Sequence, residues 1–178
     1  MLVKYIPHKL PLPLARTHQG NIPMPELQDM AGHLIRRLHQ ISVSVFAERM
    51  KAAGIDLTPV QFAALSALAA HPDVDQATLA GLIAYDRVTI GGVVDRLEGK
   101  GLVSRTVSRQ DRRARVVRLT PSGADMLARV HPLVSEFQND ILSGLSPAER
   151  DQLMALMRKT TSAGNDQSRA PLQPPKPR

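Results

Sequence analysis

The stretch from residue 101 to residue 120 constrains the fold more than any other part of this chain, because it predicts a short β-hairpin. Its first half alternates with a period of two, as a strand with one covered face requires. The alternating sets are Val103, Arg105 and Val107 against Ser104, Thr106 and Ser108. Residues 109–112 have the polarity of a turn, and Val116-Val117 return to β-branched side chains. Any fold proposed for the chain must therefore accommodate this hairpin.

The predicted hairpin is strongly basic. Between residues 101 and 118 six arginines face a single acid, Asp111, so this segment supplies five of the seven net positive charges of the chain. The arginines are Arg105, Arg109, Arg112, Arg113, Arg115 and Arg118. Such a density of guanidinium groups suits a row of phosphates or a narrow minor groove, whose negative potential attracts arginine. The alternative is a solvated, charged hairpin, but the residues that precede it favour a DNA-binding wing.

Two short helices with a tight break between them are predicted immediately before the hairpin. Residues 75–84 begin at a capping Asp75, and residues 87–100 begin at a capping Asp86. The apolar stripe of the second helix consists of Ile90, Val93, Val94 and Leu97, and the side chains left for solvent or DNA include Arg87, Thr89 and Arg96. This layout predicts a winged helix-turn-helix. The alternative, a helical hairpin inside a core, leaves the basic hairpin unexplained.

The composition excludes several classes of protein. The absence of cysteine removes disulfides, thiolate catalysis and cysteine-ligated metal sites. A net charge of +7 and an isoelectric point near 10.4 favour a polyanionic partner. No apolar run approaches the roughly 18 residues that cross a bilayer, and the N-terminus lacks the pattern of a secretion signal. We therefore expect a cytoplasmic, nucleoid-associated protein with no membrane partner.

Capping signals predict the remaining helices. Thr58-Pro59-Val60-Gln61 and Ser146-Pro147-Ala148-Glu149 are capping boxes with proline at the first helical position, and Thr120-Pro121 is a shorter version. The predicted helices span about residues 59–70, 121–143 and 147–161, with a longer one at about 26–53. Since aromatic residues make up only 3% of the chain, we expect a core of aliphatic side chains between packed helices.

The long helices predict a homodimer. The helix at 26–53 and the helix at 121–143 each carry an apolar seam that steps by three and four residues. Pairing across a two-fold axis would bury both seams and set two wings side by side. The chain then divides into dimerisation helices at 26–57 and 121–161, a winged helix-turn-helix domain at 58–120, a proline-rich arm at 1–25 and a disordered tail at 162–178.

From about residue 27 to residue 160 the chain resembles the MarR family of winged-helix transcription regulators. The closest match is the wing, where Asp111, Arg113, Leu119-Thr120 and Gly123 follow the family pattern D-x-R…L-T-x-x-G. Two further matches are Leu57-Thr58-Pro59-x-Gln61 and Leu97-Glu98-x-Lys100-Gly101-Leu102-Val103. The resemblance implies that Arg113 reaches the minor groove and that Asp111 steadies the wing. It also implies a mainly α fold with a small β-hairpin wing and long N- and C-terminal dimerisation helices.

The predicted DNA-binding residues lie on the second helix and on the wing. They are Arg87, Thr89, Arg96, Arg109, Asp111, Arg112, Arg113 and Arg115. The second helix departs from the common family pattern at Val88, Gly91 and Gly92. The two glycines allow either close packing against a neighbouring helix or a deep approach of this helix to DNA. Shape readout by Arg113 is then expected to carry more of the specificity than direct readout.

The resemblance further implies a repressor released by a small aromatic carboxylate. Residues 31–42 are similar to regulators of nicotinate and related aromatic-acid catabolism within the family. The candidate effector-binding residues are His33, Arg37, Gln40, Phe62 and Tyr85. His33 and Arg37 lie four residues apart on one helix face and are placed to grip one carboxylate, with Phe62 or Tyr85 available to stack. The alternative for each polar candidate is a solvated face or an interhelical salt bridge.

We expect a regulator that recognises a pseudo-palindromic operator, and two other functional classes are the alternatives. An enzyme is disfavoured, because the sequence has no H-E-x-x-H, G-x-S-x-G, P-loop or dinucleotide motif. The histidines are scattered without the spacing of metal ligands, so we expect neither a metal nor a cofactor. An architectural, sequence-tolerant DNA-binding protein remains the alternative, because the glycine-bearing helix permits it.

Overall fold

The computed structural model describes residues 26–107 and 115–174, which form a mainly helical chain with one two-stranded antiparallel hairpin. The predicted fold class is confirmed. The elements are α1 (Ala31–Ala52), α2 (Pro59–Ala70), α3 (Gln76–Leu82), α4 (Arg87–Gly99), β1 (Val103–Val107), β2 (Arg115–Leu119), α5 (Pro121–Ile141) and α6 (Pro147–Ala163). Two 3-10 turns, Leu27–Asp29 and Asn165–Gln167, flank this series.

The helices begin where their capping residues predict. The Thr58 hydroxyl accepts a hydrogen bond from the Gln61 amide at 3.3 Å, and the Gln61 side chain accepts one from the Thr58 amide at 3.2 Å. The same reciprocal arrangement opens α6 at Ser146. Asp75 and Asp86 each accept a backbone hydrogen bond at the start of α3 and α4. Each cap satisfies amides that have no partner inside the helix.

The core lies between α1, α2, α4 and α5 and includes the three phenylalanines of the chain. Phe46 on α1 meets Phe137 on α5 edge to face, with ring centroids 5.8 Å apart, and Phe62 on α2 lies 6.2 Å from Phe46. Burying one such ring stabilises the fold by about 1.5–3 kcal/mol. These contacts fix the two long helices against the DNA-binding domain.

The apolar seam of α5 is buried within its own protomer, which corrects the prediction that both long seams await a partner. Val130 and Phe137 are buried, and Met126, Leu133, Val134 and Ile141 pack against the same core. Most of the exposed large apolar side chains belong instead to α1, its preceding turn and α6. They are Leu27, Met30, Leu34, Ile35, Ile41 and Val43, together with Met154, Leu156 and Met157.

The hairpin is attached to the helices on the side of α3. Its register pairs Val103 with Leu119 and Val107 with Arg115. The Val117 amide donates to the Val74 carbonyl at 2.8 Å. The loop before α3 thus joins the hairpin through an isolated β-bridge. Arg118 forms an ion pair of 2.7 Å with Asp73 in that loop. The base of the hairpin is therefore held to the helix-turn-helix.

Both ends of the chain differ from the prediction. The first long helix begins at Ala31 and not near residue 26, because Met30 is extended and residues 27–29 form a 3-10 turn. Instead of disorder from residue 162, α6 continues to Ala163, and residues 165–174 fold back onto α3 and α4. Polar side-chain and backbone bonds, rather than apolar burial, order that segment. The predicted arm at 1–25 lies outside the described residues.

Two negative findings, on membrane-spanning helices and on metal-binding groups, concern residues 26–107 and 115–174 only. No single helix within them is both long and apolar enough to span a membrane, and the angled pair α3 and α4 meets that test only when both helices are counted together. Within the same ranges, no group of three or more His, Asp or Glu side chains is arranged to hold a metal ion.

Candidate nucleic-acid interface

The helix-turn-helix consists of α3 and α4, whose axes turn by 104° across residues 83–86. This angle falls in the range of about 90–120° that such motifs adopt. Two backbone hydrogen bonds close the turn, from Ala84 to Gly81 at 3.3 Å and from Tyr85 to Ala80 at 2.9 Å. Ala84 has a φ of 50°, a left-handed conformation that costs an L residue free energy. The turn sets the direction in which α4 leaves the core.

The first turn of α4 is open to solvent. Arg87 and Thr89 are exposed, and Val88 between them is 91% exposed although it is apolar. The opposite side of the helix carries the predicted buried stripe of Ile90, Val93, Val94 and Leu97. Arg96, further along α4, is also exposed. In helix-turn-helix proteins the N-terminal residues of this second helix contact the base edges, so α4 is the recognition helix.

Asp86 caps the recognition helix and joins it to the C-terminal segment. One carboxylate oxygen accepts the Val88 amide at 2.8 Å, and the other lies 3.2 Å from Nη2 of Arg169. The hydrogen bond from Val88, followed by that from Arg169, holds the pKa of the Asp86 carboxyl below its ordinary value. The carboxylate is therefore ionised at neutral pH and matches the positive end of the helix dipole.

The packing explanation for the two glycines of the recognition helix finds no support. A Cβ atom added at Gly91 would meet no other heavy atom within 4 Å in the described part of the chain. One added at Gly92 would come only within 3.6 Å of Nη2 of Arg96. Neither glycine is needed for contact with a neighbouring helix, which leaves the close approach to DNA as the explanation to be tested.

Arg105 fastens the wing to the recognition helix. Its guanidinium forms ion pairs with Asp95 and Glu98 of α4, and its backbone amide donates to Glu98 at 3.1 Å. Burial alone would lower the pKa of Arg105, but the hydrogen bonds to Asp95 and Glu98 raise it above its ordinary value. The side chain stays fully charged and fixes β1 at a set distance from α4. Arg105 therefore serves geometry rather than direct contact with phosphate.

The remaining charged residues of the hairpin differ in their surroundings. Arg118 is paired with Asp73, so it too serves the fold. Arg115 is exposed at the start of β2 and borders a cleft of about 510 Å³ together with Asp75 and Gln76 at the start of α3. The predicted contacts at the tip of the wing lie outside the described residues and stay predictions. They are Arg109, Asp111, Arg112 and Arg113.

Two of the sequence motifs contact each other at the far end of the recognition helix. Nζ of Lys100 lies 2.6 Å from the Asp56 carbonyl oxygen, 2.8 Å from Oδ2 of Asp56 and 3.3 Å from Oε1 of Gln61. Gln61 is buried and also completes the capping box of α2. The lysine after α4 thus joins the end of the recognition helix to the start of α2.

A third motif holds the wing exit against the same helix end. The Thr120 hydroxyl donates to the Gly101 carbonyl at 2.6 Å and accepts the Gly123 amide at 3.0 Å. A Cβ atom on Gly123 would lie 1.9 Å from the Leu102 carbonyl oxygen, so only glycine fits there. Since α5 begins at this contact, the wing, the recognition helix and the long helix α5 meet at one point.

Of the five predicted effector residues, two line one cavity. Arg37 and Gln40 border a shallow cavity of about 350 Å³ on α1, which is also lined by Ile41, Ser44, Val45 and Glu48. Oε1 of Gln40 accepts a hydrogen bond from Arg36 at 2.9 Å. His33 is half-buried one helical turn before Arg37. The cavity is open along α1 within a single protomer.

The two aromatic candidates lie elsewhere. Phe62 is half-buried against Phe46 in the core, and Tyr85 is half-buried in the turn between α3 and α4, also packed on the core. Neither ring lines the cavity that contains Arg37. The structure therefore does not bring the five candidates together in one cavity of the protomer.

The sequence interpretation missed three contacts around the recognition helix. It gave no partner for Lys100, counted Arg105 only as part of the basic wing, and treated Arg169 as part of a disordered tail. A signal existed for Arg105, because it shares the covered face of β1 with Val103 and so requires an acidic partner. No local pattern indicates the contact between Arg169 and Asp86, which lie 83 residues apart.

An exposed recognition helix fastened to a basic two-stranded hairpin defines a winged-helix DNA-binding protein. The family model described as the MarR family matches residues 55–114. The HTH-type transcriptional repressor NicR of Pseudomonas putida is 34% identical over 134 residues, which cover 75% of this chain and 84% of NicR. The chain belongs to the MarR family, whose members are DNA-binding transcription regulators and not enzymes.

Solved structures agree with this assignment. Bordetella bronchiseptica BpsR, whose DNA binding is regulated by 6-hydroxynicotinic acid, superposes with a TM-score of 0.70 at 30% identity and covers 75% of this chain and 94% of its own. The transcriptional repressor CouR, bound to a 23-mer DNA duplex, gives a TM-score of 0.69 at 32% identity and covers 78% and 96%. The resemblance of residues 31–42 to nicotinate-related regulators agrees with the match to BpsR.

Proposed function

We propose that this chain is a homodimeric repressor that binds a pseudo-palindromic operator and is released by a small aromatic acid, with 6-hydroxynicotinate as the first candidate. The observation that carries the proposal is the open first turn of α4, where Arg87, Val88 and Thr89 are exposed beside a hairpin fixed by Arg105. Similarity to the repressor NicR and to BpsR supports the sign of regulation and the class of effector.

The proposed DNA contacts divide between the two grooves. Arg87, Thr89 and Arg96 are exposed on the recognition helix, and the major groove is wide enough to admit such a helix. Arg109, Arg112, Arg113 and Arg115 are proposed to follow the backbone and the minor groove from the wing, with Asp111 steadying its tip. Because Gly91 and Gly92 present no side chains, α4 can approach the groove floor closely.

The homodimer is supported by apolar surface that one protomer leaves uncovered. Ile35 on α1 is 65% exposed, and Leu34, Ile41, Leu156 and Met157 are exposed on α1 and α6. Apolar side chains left exposed in this number on two helices support an interface between protomers there. A two-fold dimer would place two recognition helices about one turn of DNA apart, roughly 34–36 Å.

The proposed effector site is the cavity on α1, completed by the partner protomer. Arg37 and Gln40 offer a cation and an amide, and His33 lies one turn away. Phe62 and Tyr85 are proposed to contribute indirectly, because both pack against the core that α1 shares with the helix-turn-helix. An effector in this position releases DNA only if it binds the released conformation more tightly than the DNA-bound one.

The DNA part of the proposal is tested by Arg113→Ala, with Lys159→Ala on α6 as the control of equal charge. We expect the Arg113 variant to lose most of its operator affinity while remaining dimeric, and the Lys159 variant to bind as the unmodified protein does. Unchanged binding by the Arg113 variant at physiological salt contradicts the proposed role of the wing.

The effector part is tested by titrating 6-hydroxynicotinate into the protein–DNA complex. Arg37→Gln removes the proposed carboxylate contact, and Lys51→Gln removes a charge from the exposed end of the same helix. We expect the Arg37 variant to bind DNA normally but to need at least about tenfold more effector for release, which corresponds to about 1.4 kcal/mol. Equal release of both variants assigns the effector to another site.

A further inference from the structure

The C-terminal segment, residues 165–174, is fixed against the entrance of the recognition helix. The side chain of Asn165 holds both backbone groups of Leu172, with its oxygen 2.8 Å from the Leu172 amide and its Nδ2 3.2 Å from the carbonyl. The Gln173 amide donates to the Gly81 carbonyl of α3 at 2.9 Å. These bonds close a loop and attach its end to the helix-turn-helix.

Gly81 permits this contact. A Cβ atom there would lie 3.0 Å from Cβ of Gln173 and 3.3 Å from its Oε1, so a side chain at residue 81 would crowd Gln173. Ala170 and Pro171 are half-buried in the loop, and Ala84 of the turn borders a cavity of about 660 Å³ beneath it. The segment thus lies directly over the turn from which α4 emerges.

Within this segment Arg169 points to solvent at the DNA-facing end of α4. One nitrogen, Nη2, lies 3.2 Å from Oδ2 of Asp86, the residue that precedes Arg87. The side chain of Arg169 is nevertheless 90% exposed, and its other donors have no hydrogen-bond partner among the described residues. A guanidinium that is anchored at one nitrogen and open at the rest is oriented for a second anion.

We infer that Arg169 contacts a phosphate at the edge of the major groove that α4 enters, so the C-terminal segment is a third DNA-binding element beside the recognition helix and the wing. The inference rests on the proposed mode of DNA binding. The pairing with Asp86 also offsets a negative charge that would otherwise face the DNA backbone. Lys176 and Arg178, which follow in the sequence, add to the basic character of this end of the chain.

The test measures operator affinity as a function of salt for Arg169→Ala and for Lys159→Ala, which removes one exposed positive charge from α6. We expect the Arg169 variant to bind several-fold more weakly, on specific and unrelated duplexes alike. The slope of log K against log salt should become shallower by about 0.9 for each lost phosphate contact, or about 1.8 for a dimer. Lys159→Ala should leave the slope unchanged.

Two further variants separate contact from structure. Arg169→Lys keeps the charge and should retain most of the salt slope, whereas Asn165→Ala keeps Arg169 but opens the loop and should lower affinity. A loss of affinity in Arg169→Ala without a change of slope reduces Arg169 to a structural partner of Asp86 and overturns the inference. Tighter binding by Arg169→Ala also overturns it, because the segment would then shield the recognition helix from DNA.

The failure of this inference differs from the failure of the proposed function. If the unmodified protein binds its operator and Arg169→Ala matches it in affinity and slope, only the third element is wrong. If the unmodified protein prefers no sequence at all, the proposed operator recognition itself fails, and the comparison of variants on unrelated DNA still decides whether Arg169 contacts phosphate.

Discussion

At the scale of single residues, several motif residues of this chain hold its elements together. Lys100 joins the end of α4 to Asp56 and Gln61, and Glu98 holds Arg105 on the wing. Gly123 allows the start of α5 to lie against the Leu102 carbonyl. These contacts therefore fix the position of the recognition helix within the protomer.

Gly123→Ala tests this role of the motifs. The added Cβ atom would lie 1.9 Å from the Leu102 carbonyl oxygen, so the backbone of α5 or of the wing must move. We expect a loss of about 3 kcal/mol of stability, the upper part of the usual range for overpacking, and a lower melting temperature by roughly 6–12 °C. Thermal unfolding at fixed protein concentration measures the change in melting temperature.

Gly144→Ala is the matched control, because a Cβ atom at Gly144 meets nothing within 4 Å in the described part of the chain. Its stability should stay within about 0.5 kcal/mol of the unmodified protein. Equal melting temperatures for the two variants would show that the contact at Leu102 relaxes without cost.

At the scale of elements, the turn between α3 and α4 positions the recognition helix through an unfavourable backbone conformation. Ala84 adopts a φ of 50°, where glycine is favoured over any L residue. Hydrogen bonds to Gly81 and Ala80 hold it there, and Asp86 then caps α4. The strain is part of the geometry that directs the first turn of α4 outward.

Ala84→Gly should therefore stabilise the protein by about 0.5–1 kcal/mol, because the relief of a left-handed alanine exceeds the extra unfolded-state entropy of glycine. Ala128→Gly on the exposed side of α5 is the control and should destabilise by about 1 kcal/mol. Chemical denaturation of both variants measures the sign of the change in the free energy of unfolding. A loss of stability in Ala84→Gly similar to that of the control would mean that the turn carries no strain.

The sequence predicts the elements of this fold better than their contacts. Caps at Thr58, Asp75 and Asp86 locate the helix starts, because a cap depends only on residues two or three positions away. The pairing of Arg169 with Asp86 depends on chain segments far apart in sequence, so local patterns do not indicate it. The burial of the α5 seam was likewise misjudged, because an apolar stripe does not show whether its own chain or a partner covers it.

The candidate site was predicted unevenly for the same reason. The exposed recognition residues Arg87 and Thr89 follow from helical periodicity alone. Periodicity does not show which wing arginines are paired with acids and which are exposed. Arg105 and Arg118 find their partners only when the hairpin packs against α4 and against the loop at Asp73. Of the five effector candidates, only Arg37 and Gln40 line a common cavity. Helical spacing does not place Phe62 and Tyr85 relative to α1.

At the scale of the whole molecule, the proposed dimer rests on the uncovered apolar residues of α1 and α6. A single protomer leaves Leu34, Ile35, Ile41 and Leu156 in water, although its own core is closed by Phe46, Phe137 and Val130. Two-fold pairing would remove that surface from water and fix the separation of two recognition helices. In the proposed dimer, operator affinity is coupled to dimerisation, because each protomer contributes one recognition helix.

Ile35→Asp should dissociate the dimer, because it places a charge where 65% of an isoleucine side chain is uncovered in the protomer. We expect monomers in sedimentation analysis and loss of operator binding, while the helical content stays unchanged. Ile35→Leu keeps the apolar character and should remain dimeric. A dimer that survives Ile35→Asp would place the interface on another surface.

The central claim is that two such protomers read a defined operator together. Selection from a random duplex library with the purified protein at physiological salt tests it most directly. We expect enrichment of an inverted repeat with half-sites about one helical turn apart, roughly 34–36 Å. Binding without any enriched sequence would contradict it and favour an architectural, sequence-tolerant DNA-binding protein.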